Sequence, residues 1–99
     1  MIEAVVARLR LLGRGRVRTL RGRVVSRLPF AIPGKVVAEW QTRRKGRWRK
    51  IHAGARNANR TFRISQRLRN RGAWRVRAVY RGARPFRRSV SRWMRFTVR

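Results

Sequence analysis

The sequence predicts an all-β fold, a small antiparallel sandwich or barrel, and three observations carry that expectation. Apolar residues recur at every second position through much of the chain: Trp74, Val76, Ala78 and Tyr80 alternate with Arg75, Arg77 and Arg81, and only Val79 breaks the basic row. Turn chemistry separates the alternating runs at Pro29 to Gly34, Arg43 to Gly46, Gly54 to Asn59, Asn70 to Gly72 and Gly82 to Pro85. Finally, 99 residues leave room for one domain at most, while 42% hydrophobic residues and four tryptophans exceed what a disordered polycation carries.

The elements follow in chain order. Before Gly13, Ile2, Val5, Val6, Leu9 and Leu12 fall at helical spacing with Ala4 and Ala7 in support, and Gly13 and Gly15 end the run. Residues 1–15 are therefore expected as a short N-terminal helix or amphipathic arm, and 16–99 as the β domain. The five apolar residues of the arm either pack on their own domain or dock on a neighbouring copy, which makes them candidates for self-association. Strands are expected over Val17 to Val25, Lys35 to Thr42 and Arg47 to His52. The RRKG between the last two reads as a hairpin whose tip carries Arg43, Arg44 and Lys45. Phe62, Ile64 and Leu68 then face inward against Arg63, Ser65 and Arg67, with Gln66 the inward exception. After the strand of Trp74 to Tyr80, Val90, Met94, Phe96 and Val98 line one face of the last segment, and Ser91, Trp93, Arg95 and Thr97 line the other, with Arg92 at an edge. Six strands are expected in all.

Charge bounds the function. Thirty cations, of which only Lys35, Lys45 and Lys50 are lysine, face two acids, Glu3 and Glu39, for a formal charge of +28. Self-repulsion on so small a body opposes compaction, and the same field gathers polyanions. The preference for arginine suits phosphate, because the guanidinium fork binds it bidentately. No cysteine, no aspartate and a single histidine, His52, argue against disulfide frameworks, cysteine–zinc sites, calcium loops and most acid–base pairs. No enzyme and no cofactor is therefore expected. The GRGR at Gly13 to Arg16 lacks the third glycine of a dinucleotide loop and the GK[ST] of a phosphate loop. The opening residues lack the order of a secretory signal, and the longest apolar run is too short for a transmembrane segment.

Candidate binding residues fall in three groups. The first is the outward row Arg75, Arg77 and Arg81, extended by Arg63 and Arg67 if those strands share a sheet; its plainer reading is a solvated face. The second is the loop set, Arg43, Arg44, Lys45, Arg47, Arg49 and Lys50 around the hairpin, with Arg84, Arg87 and Arg88 around Pro85, where ordinary hairpin solubility is the alternative. The third is aromatic: Trp48, Trp93 and Phe86 neighbour cations and are open to base stacking, with core or interface as the competing role. Trp40, Phe62, Trp74 and Phe96 read as core, His52 as structural, and Glu39 as the partner of an arginine.

The order of KVVAEWQ, GRWRKI, RTFRIS, GAWRVRAVYRG and SVSRWMRFTV resembles the bacterial immunoglobulin-like or fibronectin-type-III-like β-sandwich repeats of extracytoplasmic proteins in GC-rich actinobacteria. The matching positions are Gly22 to Val24, Val37 to Trp48, Asn59 to Phe62, Trp74 to Gly82 and Ser89 to Val98, within residues 16–99. The resemblance implies an immunoglobulin-like sandwich of six to seven strands and an extracytoplasmic setting. Trp74 stands where the pattern carries tyrosine, so a tyrosine-corner hydrogen bond would fall to an indole N–H or be lost.

Together these readings lead to the expectation of a non-enzymatic, sequence-independent polyanion binder that coats or compacts nucleic acid, DNA in preference to RNA. The alternative is a structural subunit of an extracellular surface or filament assembly built from immunoglobulin-like modules, a homo-oligomer whose binding to acidic polymers is secondary.

Overall fold

A computed structural model describes residues 1–59 and 61–99. Arg60, inside the segment Asn59 to Phe62 matched above, lies outside the described residues. The chain forms strands β1 (Val5–Leu12), β2 (Val17–Val25), β3 (Lys35–Arg44), β4 (Arg47–Asn57), β5 (Phe62–Arg67), β6 (Gly72–Tyr80), β7 (Ser89–Val90) and β8 (Met94–Val98), and the described residues include no helix. All pairings between these strands are antiparallel. A small sheet has the order β1-β2-β5; a larger one has β4-β3-β6-β7, with β8 also on β6.

Period-two alternation directs one face of each sheet inward, as in a small β-sandwich. Leu20 and Val24 of β2 and Phe62 and Ile64 of β5 meet Val36, Ala38 and Trp40 of β3, Trp74, Val76, Ala78 and Tyr80 of β6, and Val98 of β8 in a single core. Polar handles inside are mostly satisfied: Tyr80 Oη donates to Pro33 O at 2.7 Å and Trp74 Nε1 to Asn70 O at 2.8 Å. Only the Trp40 indole N–H lacks a partner among buried side-chain groups of the described residues. Its ring packs edge-on to Phe96.

The first twelve residues correct the expected helix. Val6 and Leu9, three apart as on a helix, both turn inward because a β-bulge between Ala7 and Arg10 sets Arg8 and Leu9 opposite the single residue Gly22. The inserted residue Arg8 takes a left-handed φ of 53°. Gly22 is required beneath it, since a Cβ there would stand 2.8 Å from the Phe62 ring and 3.1 Å from Leu9 Cδ1. Ile2 also faces the core, while Val5 and Leu12 are exposed. Ahead of β1, Ile2 crosses to the loop after β6: its N–H donates to Pro85 O at 2.7 Å and its carbonyl accepts from Arg87 N at 2.8 Å.

Two other boundaries differ from the sequence reading. β4 continues to Asn57 through the expected turn at Gly54, because Gly54 lies under Ile64 with no room for a side chain and the ladder with β3 holds to Lys35↔Asn57. The last strand is broken: Ser91 Oγ accepts the Ala78 N–H at 2.9 Å where a strand carbonyl would, separating β7 from β8.

Candidate polyanion interface

On the outer face of the larger sheet, register places Arg77 beside Glu39, and Arg75 between Gln41 and Arg95. Arg77 Nε donates to Glu39 Oε1 at 2.6 Å, the one ion pair among the described residues. Arg75 Nε donates to Gln41 Oε1 at 2.7 Å. Both guanidinium groups also stack on indoles. Arg75 lies 4.1 Å from the Trp93 ring centre and 4.5 Å from that of Trp48, and Arg77 lies 4.4 Å from Trp93. These are cation–π distances. Partial burial, then the charges of Arg95 and Arg77, pull the Arg75 pKa below its usual value, though a guanidinium stays charged at neutral pH.

This geometry revises the expected row. Arg63 and Arg67 lie on β5 in the other sheet, so no stripe joins them to Arg75 and Arg77. Arg81 stands beyond Val79, which is buried against Val37 across the ladder. Trp48 and Trp93 are half-buried with the protein's own cations on their rings, and Phe86 is fully buried with its ring edge-on to Phe30. Phe86 is therefore not presented for base stacking.

The loop set is exposed. Lys45 and Gly46 both have positive φ, 49° and 75°, as a two-residue type I′ hairpin requires. Arg44 pairs with Arg47 at its base. Arg43↔Trp48 and Gln41↔Lys50 bring Arg43 and Lys50 onto the face that carries Arg75; Arg49, opposite Thr42, points the other way at the sheet edge. Arg84, Arg87 and Arg88 sit on the exposed loop held by Ile2.

The small sheet carries a second basic face that the sequence reading missed apart from Arg63 and Arg67. Register sets Arg10 opposite Arg21 and Arg21 opposite Arg63, three exposed arginines side by side across three strands. Arg23 follows Arg21 two residues along β2, and the bulge adds Arg8. An open concavity of about 500 Å³ lies here, lined by Arg8, Arg10, Arg21, Arg23 and Thr61, with Gly22 among them. None of these five arginines, counting Arg63 and the four lining the concavity, makes a side-chain hydrogen bond or ion pair among the described residues. Alternation in "VRTLRGRVV" signals that Arg21 and Arg23 point outward, but only the pairing register reveals that they meet Arg10 and Arg63.

No helix among the described residues is long and apolar enough to cross a membrane, and they contain no cluster of three metal-ligating side chains. No protein-family model, no curated protein and no solved structure matches this chain.

Proposed function

We propose that this chain is a non-enzymatic binder of polyanions that coats nucleic acid through phosphate contacts without reading sequence, DNA in preference to RNA. One observation carries the proposal: 30 cations are set against two carboxylates, and the described residues hold a single ion pair. Cations cover the outer faces of both sheets and the β3–β4 hairpin, so charge faces a polymer from several sides. No recognition helix is present among the described residues to enter a groove, which favours backbone contacts over base readout. We also read the sandwich as immunoglobulin-like. In its support, β1, β2 and β5 share one sheet while β3, β4 and β6 to β8 share the other, and the Trp74 indole donates back to Asn70 O, where the resemblance puts a tyrosine-corner bond.

The test is the 260/280 absorbance ratio of the protein as isolated without a high-salt wash, before and after DNase or RNase. A nucleic-acid excess removed by DNase, with the protein then dispersing or aggregating, is the expected result. Removal by RNase alone reverses the stated preference. A clean protein spectrum with an assembly that survives nuclease sinks the coating role and favours the structural-subunit alternative.

A further inference from the structure

We infer that the outer face of the small sheet is a two-phosphate clamp: Arg10, Arg21 and Arg63 grip one phosphate of a nucleic-acid strand, and Arg8, Arg23 and Thr61 hold the next. The inference rests on the polyanion reading above and locates its principal contact. Like charges directly opposite one another on a sheet repel. Here three occupy consecutive strands, and no carboxylate is available to them, because Glu3 precedes β1 and Glu39 lies on the other sheet. An anion seated on the row reverses the sign of all those interactions at once.

The backbone also bends to assemble this cluster. Arg8 occupies a left-handed conformation that is costly for a residue with a side chain, and the bulge brings it to the concavity shared with Arg10, Arg21 and Arg23. Neighbouring strands lie ~4.8 Å apart, and the rows of Arg21 and Arg23 ~7 Å apart along β2, a distance that one sugar-phosphate unit spans. The surface offers donors from five guanidinium groups together with the Thr61 hydroxyl. That chemistry matches a phosphate with several acceptor oxygens better than a planar carboxylate.

The deciding experiment compares two triple variants that remove equal charge, R10Q/R21Q/R63Q and R84Q/R87Q/R88Q, binding a labelled oligothymidylate across a salt series. The small-sheet triple loses about tenfold or more in affinity, and its log K against log salt slope falls by about 0.7, the loss of one single-strand phosphate contact. The loop triple loses only about threefold, through net charge. Without ligand, the small-sheet triple melts higher than the parent, which shows that it folds and that the repulsion was real. Arg21→Lys keeps the charge but not the fork, and loses affinity several-fold. Equal losses in the two triples overturn the clamp while leaving polyanion binding intact. Competition by polyglutamate as strong per charge as by unlabelled DNA overturns the phosphate assignment in favour of an acidic polypeptide. A parent protein that binds no oligothymidylate at low salt overturns the coating role itself.

Discussion

On the larger sheet Arg77 has Glu39 at 2.6 Å, Arg75 has Gln41 at 2.7 Å, and both lie on Trp93; on the small sheet Arg10, Arg21 and Arg63 have only one another. The alternation that turns arginine outward is the same on both sheets, so the difference comes from the neighbours that register supplies. An arginine is an apolar stem carrying a planar cation. Given an indole to cover and an acceptor for Nε, it packs and stabilises; given more arginine, it stores repulsion that a ligand can relieve. Two faces equally basic in sequence are thus unequal in energy, and substitutions should have opposite signs on them.

The sharpest way to break that comparison is Trp93→Ala. It removes the ring on which both Arg75 and Arg77 stack, together with half-buried indole surface, and a loss of about 2–3 kcal/mol in urea unfolding is expected. A change below ~0.5 kcal/mol would mean that the stack is ornament on the sheet. Glu39→Gln retains an acceptor for Arg77 Nε but deletes the countercharge. With the pair partly exposed, about 1 kcal/mol is expected, diminishing as salt rises. On the small sheet the sign reverses. Arg21→Gln, at the centre of the row, should stabilise the ligand-free protein by ~0.5 kcal/mol at low salt and by nearly nothing at high salt. Destabilisation by that variant at low salt would put the two faces on the same footing.

The all-β class and the two-sheet core follow from period-two alternation, which each strand displays locally. What stayed hidden was whatever depends on a second strand. Arg63 and Arg75 have the same outward pattern, yet β5 and β6 belong to different sheets, a fact of connectivity that no single strand records. The bulge at Arg8 went further and imitated another period: by inserting one residue between Val6 and Leu9 it produced the three-residue spacing of a helix. Trp48 and Trp93 stand among cations in the sequence, but whether such rings take bases or the protein's own guanidinium groups is decided by cross-strand distance. The hairpin, by contrast, was legible because RRKG contains the glycine that a positive φ at Gly46 favours.

The smallest effect asks how far the basic field reaches inward. His52 of β4, paired with Trp40 of β3, lies parallel to the Trp74 ring at 6.5 Å, and burial first, then the charge of Arg69, lowers its pKa. The folded protein therefore binds a proton less readily than the unfolded chain. Stability from this source is fully present above the unfolded value of about 6.5 and falls as pH drops through it toward the lower folded value. The melting temperature should decline modestly from about pH 7.5 to 5.5, and His52→Gln should flatten that decline. Salt separates the two causes, since it screens Arg69 but does not rehydrate a partly buried ring. The slope should shrink in high salt and persist. If it vanishes, the field of the surface arginines reaches the core margin more strongly than burial does; if it is unchanged, the repulsion is confined to the outer faces, where the small-sheet row has it and the large-sheet stack does not.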